Sequence, residues 1–152
     1  DLGNETSGYS KGLELATDWR PFPNWRLQAS YSYLQTHIAE ESDTYAVDDE
    51  RTSPGNQLSL RSWLNPRPDL DLDLWLRFSD ESETHGLLGS VTIDAYWELD
   101  ARIAWRPKPR LELALVGQNV LNDAHIEGYS ELGDIPLTSL ERSVYLKMRL
   151  EF

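Results

Sequence analysis

Apolar residues alternate with polar ones along this chain, and this period of two restricts its fold more than any other feature. From Leu70 to Ser79 the sequence reads Leu-Asp-Leu-Asp-Leu-Trp-Leu-Arg-Phe-Ser. An extended chain places the leucines and the phenylalanine of this segment on one side, whereas a helix would scatter them around its circumference. The last residues, Val144 to Phe152, repeat the pattern. Both segments are predicted to be β-strands.

The alternation is longest between Ile93 and Trp105, where thirteen residues follow it without a break. This exceeds the ~5 to 6 residues of an average strand in a soluble protein. Weaker alternation occurs at Leu13 to Trp19, Trp25 to Tyr33, Leu58 to Leu64 and Leu111 to Leu121. The sequence therefore predicts an all-β fold with about seven long strands.

The connections between these strands are of two kinds. Three are short and contain two prolines each: Arg20-Pro-Phe-Pro-Asn24, Asn65-Pro-Arg-Pro-Asp69 and Arg106-Pro-Lys-Pro-Arg110. Proline cannot continue a β-ladder and favours tight bends. The others are long and polar, at about Ala39 to Gly55, Asp80 to Ser90 and Asn122 to Leu140. Because short and long connections alternate, an antiparallel up-and-down meander would collect the short turns at one end, as in an outer-membrane β-barrel.

Three tryptophans, Trp19, Trp25 and Trp105, lie beside the short turns on the apolar face. Amphipathic rings at such positions meet lipid headgroups, and we interpret these three as part of a periplasmic aromatic girdle. Two others, Trp63 and Trp75, fall on the polar face, either as lumen-lining aromatics or at a local bulge.

The polar face also carries charged residues that suit a wet lumen or a water-facing sheet. They are Asp71, Asp73, Arg77, Glu98, Asp100, Arg102, Lys147, Arg149 and Glu151. We therefore predict that every second side chain touches hydrocarbon while its neighbours touch water. This prediction fails if Leu72, Ile103 and Leu150 converge from opposed layers into a sealed interior.

Composition narrows the class of protein further. The chain has 152 residues and a net charge of −12, which argues against a nucleic-acid partner because phosphate requires basic surface. There is no cysteine, which excludes disulfide frameworks and Cys-based zinc sites. No stretch approaches the ~20 consecutive apolar residues of a transmembrane helix. The first residues contain neither Met nor a signal peptide, so a mature or excised piece is expected.

Three stretches of the sequence resemble the C-terminal portion of TonB-dependent outer-membrane receptors. Gly12-Leu-Glu-Leu-Ala-Thr-Asp-Trp-Arg-Pro21, followed by Trp25-Arg-Leu-Gln-Ala-Ser-Tyr-Ser-Tyr-Leu34, resembles a late hairpin of that family. Leu113-Ala-Leu-Val-Gly-Gln-Asn-Val-Leu-Asn-Asp123 is similar to its penultimate strand, which typically ends in G-x-N-L-L/F-N/D. Glu141-Arg-Ser-Val-Tyr-Leu-Lys-Met-Arg-Leu-Glu-Phe152 resembles its final strand.

This resemblance implies a 22-stranded transmembrane β-barrel in the bacterial outer membrane, of which residues 1–152 form the C-terminal segment. Seven strands cannot close a bacterial barrel, which has an even number of about eight or more, so either strands precede Asp1 in the natural protein or the fragment closes by pairing with another copy. Earlier strands, the plug domain and the TonB box would then be absent from this chain. The family imports siderophores, cobalamin and other scarce nutrients, so the implied partners are TonB through the plug, a small-molecule nutrient, and outer-membrane lipid and lipopolysaccharide.

The resemblance also assigns a role to the end of the chain. In the family, a terminal aromatic residue preceded by alternate apolar residues is recognised by the barrel-assembly machinery. The matching positions here are Val144, Leu146, Met148, Leu150 and Phe152. The same residues are also expected to face lipid, and both roles can hold at once.

The candidates for ligand chemistry lie towards the long loops. His37, His85 and His125 are expected on one side of the membrane, and His125 with Glu127 has a spacing compatible with a metal chelate. Surface histidines without a ligand are the alternative interpretation. The acidic runs Glu40 to Asp43, Asp48 to Glu50 and Asp80 to Glu83 could hold divalent cations that bridge lipopolysaccharide, favour a cationic ligand, or simply form solvated loops.

No nucleophile elbow or Gly-rich phosphate loop occurs in the sequence, so we predict neither an enzyme nor a cofactor. The leading hypothesis is a nutrient-uptake receptor, most simply for a ferric siderophore or similar metal chelate. The alternatives are another outer-membrane barrel, such as a porin or a small barrel enzyme, and a soluble β-sheet binding module.

Overall fold

The computed structural model describes residues 6–40, 53–86, 89–128 and 138–152, and these ranges consist of β-strands, turns and bends. None of them contains a helix with the length and apolarity needed to cross a membrane. The strands are β1 (Thr6–Phe22), β2 (Trp25–Glu40), β3 (Asn56–Arg67), β4 (Leu70–Ser79), β5 (Ser82–Gly86), β6 (Gly89–Ile93), β7 (Tyr96–Lys108), β8 (Leu111–Gln118), β9 (Ala124–Gly128), β10 (Thr138–Glu141) and β11 (Ser143–Leu150). The prediction of an all-β fold is confirmed.

Seven of these strands form one antiparallel sheet in the order β1-β2-β3-β4-β7-β8-β11. Each long strand pairs with the next long strand along the chain, which is the up-and-down meander predicted from the alternating connections. Strands β1 and β2 are the longest, at 17 and 16 residues. Within the described ranges β1 and β11 are the edge strands of this sheet.

The remaining four strands form two short hairpins inside connections that the sequence predicted to be loops. Strand β5 pairs with β6, and β9 pairs with β10, each as a separate two-stranded sheet. This corrects the predicted strand from Ile93 to Trp105, because Ile93 ends β6 opposite Ser82 and β7 begins only at Tyr96. The break between them has two residues, so it preserves the parity of the alternation and leaves no sign in the sequence.

The short connections are tighter than predicted. Each consists of two turn residues, such as Pro23 and Asn24, rather than five. The first proline of each pair, Pro21, Pro66 or Pro107, lies within the strand end, where the pairing register shifts. Because proline has no amide hydrogen to donate, it occupies an irregular position of the ladder instead of ending the strand.

The main sheet is a single layer, and its apolar face is open. Ile103 is 50% exposed, Leu150 48% and Leu146 72%. In a soluble sandwich these side chains would be buried against a second sheet. The buried apolar residues of the described ranges are instead Ile93, Ala104 and Ala114. The sealed interior that would have contradicted the lipid-facing prediction is therefore not present in the described part of the chain.

Candidate functional site: the polar face of the sheet

The pairing register divides the sheet into two chemically distinct faces. Residues directly opposite each other in an antiparallel ladder point to the same side. Across β4 and β7, leucines and aromatics oppose one another, as in Leu72 with Ile103 and Phe78 with Trp97. The intervening pairs are polar, as in Arg77 with Glu98. The same parity continues through the neighbouring strands, so one face is apolar and the other polar across the whole sheet.

The polar face is concave. It lines a groove of about 800 Å³. The polar residues that line this groove come from several strands and include Ser30, Ser59, Arg77 and Gln118. Glu98, on this face, is only 3% exposed. Curvature towards the polar face thus buries charged groups and opens the leucine face, which is the reverse of the arrangement in a soluble domain.

Arginines and carboxylates on β4, β7 and β8 form two groups of ion pairs on the polar face, which together we call the arginine network. Arg77 on β4 pairs with Glu98 and, at 3.0 Å, with Asp100 on β7. Arg102 on β7 binds Asp73 of β4 at 2.9 Å and Glu112 of β8 at 2.8 Å.

Arg106 extends this network towards the short turns. It pairs with Asp71 on β4 and, at 3.3 Å, with Glu112 on β8. The side chain of Asn65 also donates to Asp71. Each of these three arginines therefore holds carboxylates of neighbouring strands, so their charges are neutralised within the wall rather than directed at a ligand.

Tryptophan rings and guanidinium groups alternate on the neighbouring part of the same face. The Arg61 guanidinium carbon lies 4.5 Å from the centre of the Trp63 ring and 5.1 Å from that of Trp75. Arg77 lies 3.8 Å from the centre of the Trp75 ring, and Arg26 lies 5.2 Å from that of Trp63. These distances are within the range of cation–π attraction.

The pairing register decides between the two interpretations of Trp63 and Trp75 that the sequence left open. Trp63 opposes Asp73 and Trp75 opposes Asp100 in regular register, so neither residue lies at a bulge. Trp75 also donates its indole N–H to the Ser59 hydroxyl at 2.8 Å. Both tryptophans therefore line the polar face, which was the first of the two interpretations.

A second polar cluster lies where β8 ends, and its central residue, Asn119, was not a predicted site residue. Asn119 is fully buried and has a positive φ of 48°. Its backbone N–H donates to Asp100 at 3.0 Å, and its side-chain amide donates to the Leu140 carbonyl at 2.9 Å. Its side-chain oxygen accepts from Asn122 at 3.0 Å. The G-x-N segment quoted above as a family likeness thus has a structural role in tying β8 to β7 and β10.

A steric requirement explains why the G-x-N segment begins with a glycine. A Cβ on Gly117 would lie 2.7 Å from a methyl of Val120, which folds back over it after the turn at Asn119. The Val120 N–H donates to the Leu99 carbonyl at 2.9 Å and fixes this return. These two contacts of Val120 therefore fix the backbone conformation in which β8 ends.

The predicted girdle residues lie as expected on the apolar face near the short turns. Phe22 and Trp25 stack at 6.3 Å with an interplanar angle of 6°, across the first turn. Trp105 donates its indole N–H to Asp69 at 3.1 Å, so its polar edge points to the turn. Trp19 is 59% exposed. The membrane role of Trp19, Trp25 and Trp105 stays a prediction.

The histidines are distributed over separate elements. His37 lies near the end of β2 with its ring 5.3 Å from that of Tyr9, and His125 on β9 stacks on Tyr96 at 4.1 Å. The backbone places His85 in β5 and Glu127 in β9, but their side chains lie outside what is described. Among the described residues no group of three metal-ligating side chains occurs. Most of the acidic stretch between Glu40 and Glu50 also lies outside the described ranges.

The C-terminal residues predicted as an assembly signal share the apolar face of β11. Val144, Leu146, Met148 and Leu150 oppose apolar-face positions of β8, and Phe152 follows the strand. All are exposed. This is the geometry that the prediction requires, while recognition by the assembly machinery stays a prediction.

A single curved sheet with an open apolar face, a polar concave face and turns of unequal length at its two ends defines a segment of a β-barrel wall. The family model "TonB dependent receptor-like, beta-barrel" matches residues 3–120. The chain therefore belongs to the TonB-dependent receptor-like β-barrel family. The comparison with curated proteins gave no match.

Solved structures share this fold over nearly the whole chain. The ferripyoverdine receptor of the outer membrane of Pseudomonas aeruginosa matches with a TM-score of 0.74 and 17% identity, covering 95% of this chain and 20% of that one. The ferric-catecholate import receptor Fiu from E. coli K12 matches at 0.73 and 18%, covering 95% and 21%. The siderophore receptor PiuA from Acinetobacter baumannii matches at 0.71 and 16%, covering 94% and 22%. The chain thus spans about a fifth of these receptors.

Proposed function

We propose that residues 1–152 are the C-terminal wall segment of an outer-membrane receptor that imports a scarce nutrient with energy supplied through TonB. The cargo we propose is a ferric siderophore or a similar metal chelate. The observation that carries the proposal is the strict division of the sheet into an open apolar face and a concave polar face. Family membership and the siderophore receptors that share the fold support it.

Strand dimensions support the membrane placement. A strand that crosses a bilayer needs about 9 to 11 residues. Strand β4, with 10 residues, has this length and β7, with 13, exceeds it slightly, while β1 and β2 would extend beyond the bilayer towards the long loops. The aromatic residues beside the short turns would lie at the periplasmic headgroups. The long connections would then lie outside the cell.

The polar face would line the passage and contact the plug, while the long-loop end would meet the ligand. His37, His85, His125 and Glu127 are on that end and remain our proposed ligand-side residues. The arginines of the polar face hold its carboxylates in ion pairs, and we propose that the segment performs no covalent chemistry. Binding and passage, rather than catalysis, are the functions that such a wall provides.

Assembly and partners follow from the same placement. The exposed edge strand β11 would present Val144, Leu146, Met148, Leu150 and Phe152 to the barrel-assembly machinery. Lipid and lipopolysaccharide would cover the apolar face. The plug domain and the earlier strands, which would contact TonB and close the barrel, correspond to the part of the receptors that this chain does not span.

The proposal is tested by uptake of radioactive iron in a host that lacks its own siderophore receptors. The full-length protein is expressed in hosts with and without TonB, and ferric catecholates and hydroxamates are supplied in turn. We expect uptake of one chelate class only in the TonB-containing host. Equal uptake in both hosts would identify a passive, porin-like barrel instead, and a protein recovered from the cytoplasm without detergent would support the soluble binding module.

A further inference from the structure

The three Pro-x-Pro segments share a feature of the pairing register. In each, the register shifts at the first proline, and the middle residue then pairs with the residue that starts the next strand. The resulting pairs are Phe22 with Trp25, Arg67 with Leu70 and Lys108 with Leu111.

The shift decides the side on which the middle residue lies. Trp105 is on the apolar face, and simple alternation would place Lys108, three residues later, on the polar face. The extra residue of the bulge reverses this parity, since Lys108 pairs with Leu111 of the apolar face. The same reasoning holds for Arg67 after Leu64. The proline bulges therefore turn two cations outward, beyond the last ring of apolar side chains.

These two cations are accessible and close to each other along the rim. The Arg67 side chain is 60% exposed, and Lys108 is exposed. Strand β4 lies between β3 and β7, so the two cations are two strand spacings, about 10 Å, apart across the sheet. Arg67 is level with Trp105 through Leu70, so Lys108 also lies about 7 Å further along the strand direction. Trp105 lies in the same region on the apolar face, with its indole N–H bound to Asp69.

The cations also have unused hydrogen-bonding capacity. Arg67 binds the carboxylate of Asp69 through Nε at 3.3 Å and through Nη2 at 3.4 Å, which leaves three of its five N–H donors available. Within the described ranges no carboxylate lies in salt-bridge distance of Lys108, which presents three donors. Two outward cations above an apolar face and beside an indole match the chemistry of a phospholipid headgroup, which has an anionic phosphate above its acyl chains.

We propose that Arg67 and Lys108 form a binding site for an anionic phospholipid headgroup on the outer rim of the wall, at its short-turn end. This site rests on the membrane placement proposed above. Phe22 occupies the equivalent position of the first hairpin and stacks on Trp25, so the site is confined to the second and third hairpins. The site depends on the two proline bulges, because without the extra residue in each strand Arg67 and Lys108 would lie on the polar face.

The test uses the full-length protein purified in detergent and native mass spectrometry with added phosphatidylglycerol or phosphatidylcholine. Arg67→Gln, Lys108→Gln and the double variant are each compared with the wild type. We expect the wild type to prefer phosphatidylglycerol and each substitution to weaken its binding about fivefold. Binding of phosphatidylcholine is expected to change little, because that headgroup has no net charge.

Arg20→Gln is the matched control. Arg20 precedes the first turn and alternates with Trp19, so it lies on the polar face of the same rim, and its loss removes the same charge. We expect this variant to bind phosphatidylglycerol as the wild type does. Equal weakening by Arg20→Gln would show that rim charge in general attracts the lipid and would overturn the proposal.

Two further outcomes would also overturn it. If the double variant binds phosphatidylglycerol as tightly as the wild type, the headgroup site is wrong while the barrel assignment stands. If the wild type fails to insert into lipid bilayers as a heat-modifiable barrel, the membrane placement itself is wrong and the headgroup site with it. Insertion is therefore measured first, on the same preparations.

Discussion

At the scale of single residues, Asn119 shows how one side chain can close a strand. Its positive φ of 48° is tolerated by asparagine better than by most residues. Its amide joins the end of β8 to the backbone of Leu140, and its own N–H binds Asp100 across the sheet. Because the residue is fully buried, water cannot replace these hydrogen bonds.

Substitutions at Asn119 separate the contribution of its side-chain hydrogen bonds from that of its tolerance of a positive φ. Asn119→Gly keeps the backbone conformation but leaves the Leu140 carbonyl without its donor, and we expect a loss of about 1 to 3 kcal/mol in the free energy of unfolding. Asn119→Ala should cost about 1 kcal/mol more, because alanine also strains the positive φ. Urea unfolding in detergent, followed by tryptophan fluorescence, measures both. Gln118→Ala, at the exposed neighbouring position, is the control, and equal stability of the glycine and alanine variants would contradict the strain argument.

The sequence could reveal only part of these residue-level contacts. The G-x-N pattern marked Asn119 as one of several family-like positions, but its partners Asp100 and Leu140 are distant in sequence, and no local pattern identifies them. Parity placed Trp63 and Trp75 on the polar face correctly. The contact of Trp75 with Arg61 depends on the pairing register between β3 and β4, which alternation alone does not determine.

At the scale of strands, the arginine network joins three neighbours through one central residue. Arg102 on β7 reaches Asp73 on β4 with one terminal nitrogen and Glu112 on β8 with the other. A planar guanidinium can do this because its donors point in different directions. The three side chains are between 21% and 30% exposed, so solvent screens the pairs only in part.

Arg102 variants test whether this bridge stabilises the sheet. Arg102→Lys keeps the charge but can hold only one carboxylate well, and we expect a loss of about 0.5 to 1 kcal/mol. Arg102→Met leaves the partly buried carboxylate of Asp73 unpaired and leaves Glu112 with only its 3.3 Å contact to Arg106, so it should cost about 1 to 3 kcal/mol. The readout is again urea unfolding in detergent. Arg149→Met, which breaks the exposed pair of Arg149 and Glu151 on the edge strand, is the matched control. A similar loss from that control would mean that the network has no special role.

Strand existence was predictable, whereas strand ends were not. Period two identified all seven strands of the main sheet because each has one apolar and one polar face. The ends depend on the proline bulges, where a residue is added without interrupting the strand. The hairpins β5–β6 and β9–β10 were missed because short polar strands have no apolar face to mark them.

At the scale of the whole molecule, the distribution of polarity is inverted relative to a soluble protein. The apolar face is open, and the concave face holds the buried Glu98. Water would favour collapse of such a sheet onto itself or onto another copy, since exposed apolar area of this extent is unfavourable. A bilayer would remove the contradiction, because hydrocarbon would cover the apolar face while the polar face stayed in contact with water.

Two neighbouring small residues on β2 test this inversion directly. Ala29 pairs with Leu60 on the apolar face, and Ser30 pairs with Ser59 on the polar face. Ala29→Arg would place a charge in hydrocarbon and should lower the free energy of unfolding from a bilayer by about 2 kcal/mol. Ser30→Arg adds the same side chain to the wet groove and should cost less than about 0.5 kcal/mol.

The comparison is made by folding the full-length protein and both variants into phosphatidylcholine vesicles and titrating with urea. The two positions are adjacent, so depth in the membrane, distance from the short turns and local strand pairing are closely matched. Only the face differs between them. If Ser30→Arg is the more damaging change, the polar side is the packed side, and the wall must be turned the other way or belong to a soluble sheet. If both variants are equally stable, neither face touches hydrocarbon, and the assignment of this sheet to a barrel wall in a membrane is wrong.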